Sequence, residues 1–253
     1  MAGQEIFKSI SVRWYLIKIW IKYVFYPNQK KEFKKIEKLE KNLSNKKSIV
    51  VLCSGPSAIK LKPNKKDFYL VTNDSYKMVK DFSFLYYVND GYFFRRFLAN
   101  APLCKNHVET LLFYRKEDHL HENSFRYFKT NLKLIKNKNY LISNFESNID
   151  SAYPNYTKFI DFLYSYHIPI KIQNSGIFLL LFGFYLAEKY DKELCVYGLD
   201  LGVGGKVHFE KGGHVGKSIT SDRVKVNTKS QLDLMYKIMK SRIKNYSNFN
   251  PNS

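Results

Sequence analysis

Cysteine is scarce in this sequence, and no pair of cysteines has the spacing of a metal site. The chain has 253 residues and three cysteines, Cys53, Cys104 and Cys195. So few cysteines, without a ligand pattern, exclude a disulfide-stapled secreted domain and a zinc ribbon. Two of the three end apolar runs, so we expect reduced, buried thiols in a cytoplasmic protein.

Long apolar runs without charge are also missing at the start of the chain. Residues 6–26 alternate apolar side chains with Lys and Arg, which makes them too charged for a comfortable membrane span. They lack the small-residue cleavage site of a secretory signal. Apolar residues three or four apart, with Trp14 and Trp20 near lysines, predict an amphipathic helix. This helix suits an anionic lipid interface or a place on the protein's own core, and both alternatives stay open.

Acidic residues are few compared with basic ones. The chain carries 42 Lys and Arg against 22 Asp and Glu, a net charge of +20. Such an excess favours anionic partners. Because the lysines are spread along the chain and no nucleic-acid motif is visible, we expect a membrane surface and a nucleotide-bearing substrate, not nucleic acid. The 45% hydrophobic content is sufficient for a folded core and argues against disorder.

The clearest pattern is a buried strand followed by a turn of small residues. Ser48 to Leu52 predicts a strand covered on both faces, and the run stops at Ser54-Gly55-Pro56-Ser57. Glycine permits a close turn, and proline is tolerated in the first turn of a helix. Open α/β sheets build anion sites from such a strand, turn and helix. An ordinary strand-to-loop turn remains an equally good interpretation of these four residues.

Other predicted strands end in the same kind of residues. Residues 67–73 and 84–89 end in Asn73 and Asn89, each followed by Asp, and residues 193–198 end in Gly198. Residues 109–114 predict another strand. In a parallel sheet these ends lie along one edge, where ligands bind. Singly, each Asn-Asp pair is ordinary turn chemistry.

The remaining segments complete an α/β organisation. We predict a basic helical extension over residues 1–46 and one domain over 47–253, with a mostly parallel sheet. Residues 115–170, aromatic and basic, predict a lid or acceptor region with one or two helices, one near 156–166. Asn174-Ser175-Gly176 precedes a buried helix over residues 177–186, and residues 227–244 have helical spacing.

Taken in order, these motifs resemble those of the bacterial sialyltransferases of glycosyltransferase family 42. That family has Gly-Asn-Gly-Pro-Ser after a strand, two Asn-ended strands, Thr-Ser-Gly before a buried helix, Gly-Ile-Asp, and a closing Cys-Pro-Asn-Ser. The similar segments here are Cys53-Ser54-Gly55-Pro56-Ser57, Asn73, Asn89, Asn174-Ser175-Gly176, Gly198-Leu199-Asp200 and Asn250-Pro251-Asn252-Ser253.

The resemblance implies a single Rossmann-like domain that transfers sialic acid, or a related nonulosonic acid, from a CMP-sugar with inversion. It implies no metal or other cofactor, and the sequence contains no Asp-x-Asp pair. The acceptor would be a glycan or glycolipid of surface polysaccharide, capsule or lipooligosaccharide. The enzyme would lie in the cytoplasm, peripheral on the inner face of the cell membrane. The donor would contact Ser54, Gly55, Pro56, Ser57, Asn73, Asn89, Asn174, Ser175, Gly176, Gly198 and Asn227, with Asp200 near the ribose or acceptor.

The chain departs from the family at its catalytic half. The first motif has Ser54 in place of Asn, and no tyrosine pair follows Asp200. The family's general-base histidine corresponds to Asn227, which cannot accept a proton at neutral pH. His214, and after it His208, are therefore the candidate bases, because an unperturbed imidazole titrates near neutrality. Nearby lysines would neutralise the donor phosphate: Lys206, Lys211 and Lys217.

Two other functions fit parts of the pattern. A pterin diphosphokinase-like transferase shares the Gly-Pro-Ser turn and would hold Mg²⁺ on Asp74, Asp90 or Asp200. A non-enzymatic basic module on a membrane would account for the charge alone. The acceptor, the linkage and the oligomeric state stay open.

Overall fold

The protein is built on a sheet whose strands all run in the same direction. The computed structural model describes residues 43–88, 97, 100, 103–104, 107–115, 140–145, 157–167, 175–200, 233, 236–238 and 242–247. These residues contain seven strands: β1 (Ser48–Leu52), β2 (Asp67–Thr72), β3 (Phe84–Val88), β4 (His107–Arg115), β5 (Tyr140–Phe145), β6 (Glu193–Tyr197) and β7 (Ile243–Asn245). Their order across the sheet is β5-β4-β3-β2-β1-β6-β7, and each neighbouring pair is parallel. The predicted α/β class with a parallel sheet is confirmed.

The central strands are apolar because both of their faces are covered. Every residue of β1 and β3 is buried, as expected for strands in the middle of a parallel sheet. On one face Val51 and Leu70 belong to a core that includes the long helix α2 (Ser175–Tyr190). On the other face Val50 and Tyr69 belong to a second core.

Helix α2 lies close against the sheet because a glycine faces the strands. A Cβ on Gly183 would come within 2.8 Å of Val51 Cγ2 and 3.0 Å of Leu194 Cδ1. The helix buries twelve of its sixteen residues, which agrees with the prediction that it is buried. A shorter helix, α1 (Thr157–Ser165), packs against α2, and the rings of Phe159 and Phe182 meet edge to face at 5.5 Å.

Two features of the sheet were not predicted. Strand β5 lies within residues 115–170, to which we assigned only helices, and it extends the sheet beyond β4. Strand β7 replaces the end of the helix predicted over residues 227–244, because Ile243 pairs with Leu194 of β6. Apolar residues three or four apart do not distinguish the last turn of a helix from a three-residue strand.

Short 3₁₀ helices follow the first two strands. One spans Pro56–Lys60 after β1, with proline in its first turn as expected, and the other spans Asn73–Met78 after β2. Within the described ranges, no helix combines the length and hydrophobicity needed to cross a membrane. The helical extension predicted for residues 1–46 lies outside the described residues up to position 42.

Candidate active site

The strand order reverses direction between β1 and β6, and the candidate site lies at the carboxyl ends of these strands. Strands β2 to β5 lie in order on one side of β1, and strands β6 and β7 lie on its other side. In open parallel sheets the connections diverge at such a switch point and leave a crevice for ligands. The Ser54-Gly55-Pro56-Ser57 turn and the Gly198-Leu199-Asp200 segment both begin there.

Hydrogen bonds join these two segments across the switch point. Asp200 accepts the backbone N–H of Ser57 at 2.7 Å on Oδ2 and the Ser57 hydroxyl at 2.5 Å on Oδ1. The Ser57 hydroxyl oxygen in turn accepts the N–H of Gly198 at 3.0 Å. Ser57 and Asp200 are both only 2% exposed. The carboxylate therefore caps the turn and holds it against the end of β6.

Glycine is required twice in this junction because backbone and side-chain atoms approach closely. A Cβ on Gly55 would lie 2.5 Å from Asp200 Oδ2 and from the Gly198 oxygen. Gly198 has a φ of +70°, in the left-handed region that favours glycine, and its Cβ would clash with the carbonyl of Cys53. The glycine of the Ser-Gly-Pro-Ser turn thus makes room for Asp200.

Buried groups below the junction have raised pKa values. Burial, with a smaller effect from the Asp200 charge, raises the pKa of the Cys53 thiol to about 12. Burial also raises the pKa of Tyr236, and the neighbouring Cys53 and Asp200 add to this shift. Both groups stay neutral at physiological pH, so neither is an ionised nucleophile or base there.

The end of β2 differs from this junction. Asn73 has a φ of +53°, a left-handed conformation that is uncommon for a residue with a side chain, and it is half-buried. Thr72 and Ser75 form a reciprocal capping box around it. Ser75 Oγ lies 2.8 Å from the carbonyl oxygen of Leu52, which ties this turn to the end of β1.

An acidic and a basic side chain follow Asn73. Asp74 is 6% exposed, and its Oδ2 lies 3.8 Å from the ammonium of Lys77. Among the described residues, no group of three or more His, Cys, Asp or Glu side chains has the geometry to hold a metal ion. Asp200 is buried, and both of its oxygens accept hydrogen bonds from Ser57, so this carboxylate has a structural role in the turn.

The amino end of α2 lies along the same edge of the sheet. Phe178, in the first turn of α2, meets Tyr87 near the carboxyl end of β3 with ring centroids 4.4 Å apart. Ser175 at the helix start is half-buried and Gly176 is buried. A helix amino terminus favours anionic groups, so this position suits the phosphate side of a nucleotide.

The predicted site residues thus fall into three groups. Ser54, Gly55, Pro56, Ser57, Gly198 and Asp200 meet at the β1–β6 junction, and Asn73, Ser175 and Gly176 lie on the same edge of the sheet. Outside the described residues lie Asn89, Asn174, Lys206, His208, Lys211, His214, Lys217 and Asn227.

Sequence reasoning missed the residues that fix the turns. Ser75 was given no role, although Thr72 and Ser75 have capping-box spacing. Ser247 was not singled out, and its hydroxyl accepts the N–H of Leu199 at 3.0 Å. Its only sequence signal is a small polar residue just after a short strand, which is too common to be useful.

Comparison with known proteins gives no relative: no family model matches the chain, and neither a curated protein nor a solved structure is significantly similar to it.

Proposed function

We propose that the protein is a glycosyltransferase that binds a CMP-activated sugar at the carboxyl edge of its sheet. It transfers sialic acid or a related nonulosonic acid to a glycan acceptor of surface polysaccharide or lipooligosaccharide, without a metal ion. The observation that supports this best is Asn73, which is held left-handed at a strand end beside the switch point of a parallel sheet.

Strained backbone at such an edge is a reasonable indicator of function. Left-handed backbone costs a residue other than glycine on the order of 1 kcal/mol, and it persists where the surroundings impose it. Here the Thr72–Ser75 capping box and the contact of Ser75 with Leu52 impose it. The half-buried Asn73 amide supplies a donor and an acceptor for a base or ribose without adding negative charge near a phosphate.

The β1–β6 junction plays a supporting part in this proposal. The N–H and hydroxyl of Ser57 are already bound to Asp200, so they fix the turn and do not cradle the phosphate. Phosphate binding would then come from the start of α2, with Ser175, and from the lysines of the segment after Asp200. We place Asp200 as a positioning residue beneath the donor.

The transfer itself requires a base for the acceptor hydroxyl and stabilisation of the departing CMP phosphate. In a single Rossmann-like domain, the segment that leaves β6 would carry His208 and His214 toward the ligand-binding edge. His214 is the proposed base, and His214→Ala is expected to lower transfer by about 10²-fold with CMP binding nearly unchanged. Residues 115–170 would form the acceptor side and 1–46 a membrane-binding extension.

The Mg²⁺-dependent pterin alternative fits the described donor groups less well. It needs accessible carboxylates among the strand-end aspartates, because Mg²⁺ usually keeps several of its waters. Asp74 and Asp200 are both buried, and Asp90 lies outside the described residues. We therefore favour binding of the nucleotide by amides and lysines.

A thermal-shift panel tests the function. CMP, UMP, GDP and ATP are each added with EDTA or with Mg²⁺, and the melting temperature is measured. We expect CMP to give the largest increase and EDTA to leave it unchanged. Stabilisation only by ATP with Mg²⁺ would favour the pterin-type transferase, and no stabilisation by any nucleotide would favour a non-enzymatic module.

A further inference from the structure

Lysines from three separate connections converge at the amino ends of the strands, on the edge opposite the candidate site. The Lys46 ammonium donates to the carbonyl of Lys65 at 2.9 Å, and the Lys47 N–H donates to the carbonyl of Lys66 at 2.7 Å. The Lys192 ammonium donates to the carbonyl of Ser44 at 3.0 Å. These bonds bring the segments before β1, β2 and β6 together.

The acidic groups next to β2 and β6 at this edge are already engaged. Asp67 is half-buried and accepts the Ser48 hydroxyl at 2.6 Å. Glu193 pairs with Lys244, while Glu188 and Asp191 both pair with Arg242. Exposed lysines at positions 47, 65 and 66 therefore give the part of the edge before β1 and β2 a positive surface.

We propose that this amino edge, with Lys47, Lys65 and Lys66 at its centre, docks on an anionic lipid membrane. Charge complementarity favours an anionic partner. The chain before β1 argues for lipid, because the described part of the chain enters this edge at the buried Leu43, and residues 1–42 precede it in the sequence. Those residues include segment 6–26, whose aromatic and basic amphipathic pattern is typical of an interfacial helix. Both features would face one membrane surface.

The docking orientation has a consequence for the acceptor, and this consequence alone rests on the proposed function. A five-residue strand at about 3.3 Å per residue separates the two edges by about 17 Å. The carboxyl edge would then face away from the lipid head groups. An acceptor hydroxyl bound at the carboxyl edge would lie about 17 Å from the edge that docks on the membrane. Such a hydroxyl belongs to an extended glycan chain, not to the first sugar of a glycolipid.

Vesicle binding of the full chain tests the docking surface. The variant Lys47→Gln/Lys66→Gln is compared with Lys60→Gln/Lys237→Gln, which removes two exposed lysines away from this edge. Vesicles contain phosphatidylglycerol and phosphatidylcholine, and the partition coefficient is measured by co-sedimentation. Each interfacial lysine contributes about fivefold in partition coefficient, so we expect about a 25-fold loss for the amino-edge pair and under about threefold for the control pair.

The other outcomes are equally decisive. Equal losses for the two pairs would overturn the proposal in favour of attraction by overall charge, and no loss would overturn it outright. If the amino-edge pair loses binding to an oligonucleotide while its vesicle binding stays intact, the partner is nucleic acid instead. An unchanged melting temperature shows that the variants fold. The vesicle assay contains no nucleotide. Failure of CMP to bind in the thermal-shift panel would therefore overturn the proposed function and leave the vesicle result standing.

Discussion

The ends of β1 and β2 look alike in sequence but differ in the folded protein. Each strand has an apolar run of four residues and then enters a short 3₁₀ helix through small polar residues. At the end of β1, Ser57 is buried and bound to Asp200. At the end of β2, Asn73 is half-buried and held left-handed by its own neighbours. The first end is a closed scaffold, and the second presents a side chain at the ligand-binding edge.

This difference shows that small polar residues after a strand have no fixed role. A serine in a turn caps, supports or binds according to which groups the rest of the fold brings to it. At β1 the deciding group is Asp200, which lies 143 residues away from Ser57 in the chain. At β2 the deciding groups are local, since Thr72 and Ser75 cap each other across three residues.

The largest expected effect comes from breaking the closed end. Asp200→Ala leaves two buried Ser57 donors without their acceptor, each costing roughly 1–3 kcal/mol. We expect the free energy of unfolding to fall by about 3 kcal/mol, measured by urea denaturation. The control Lys62→Ala removes an exposed charged side chain and should change stability by less than about 0.5 kcal/mol. Equal stability of the two variants would show that the Asp200–Ser57 bonds do not hold the turn.

Alkaline pH should lower the free energy of unfolding through Cys53, the buried thiol just after β1. The pKa of Cys53 rises from 9.0 to about 12 on folding, so above pH 9 the unfolded chain binds fewer protons than the native protein. Stability is therefore lost as pH rises from 9 towards 12. Between pH 8 and 10 this thiol should contribute a loss of about 1 kcal/mol.

The contribution of Cys53 is isolated by comparing stability against pH in the wild type and in Cys53→Ala. Tyr69, whose raised pKa does not depend on Cys53, contributes equally to both curves, whereas part of the raised pKa of Tyr236 comes from Cys53 and is lost with it. We expect the variant to lose less stability over this pH range. Parallel curves would mean that Cys53 ionises in the native state as easily as in the unfolded chain.

Substitutions of Asn73 at the end of β2 should change stability through the backbone conformation of this residue and not through loss of burial. Asn73→Ala places a less tolerant residue at a φ of +53° and should cost about 1 kcal/mol. Asn73→Gly keeps that conformation without strain and should stay within about 0.5 kcal/mol of the wild type. If alanine and glycine have the same stability, measured by urea denaturation, the left-handed backbone is not what this position requires.

The sequence was sufficient for the parts of the fold that depend on local patterns. Residues 49–52, 68–71, 84–88 and 194–197 are continuous apolar runs, and parallel pairing of these strands was expected from burial on both faces. The bounds of α2 extend beyond the predicted residues 177–186 because its ends are less apolar than its middle. Strand β7 was missed because three residues carry too little pattern.

The candidate site was predictable only as an edge of the sheet. Strand ends rich in Asn, Asp, Ser and Gly identified that edge without showing which of them are free to bind. The Ser57 and Asp200 groups meet only in the folded chain, and no spacing in the sequence indicates that contact. Closed and open strand ends are therefore distinguished by tertiary hydrogen bonds, which local patterns do not record.

The most direct test of this account is the dissociation constant of CMP for Asn73→Gly and Ser57→Ala, measured by calorimetry beside their melting temperatures. We expect Asn73→Gly to weaken CMP binding by about tenfold, typical of a lost hydrogen bond, without lowering the melting temperature. Ser57→Ala should lower the melting temperature and change CMP affinity by less than about twofold. The opposite pattern, with CMP binding lost in Ser57→Ala and kept in Asn73→Gly, would contradict the assignment of β1 as scaffold and β2 as binding end.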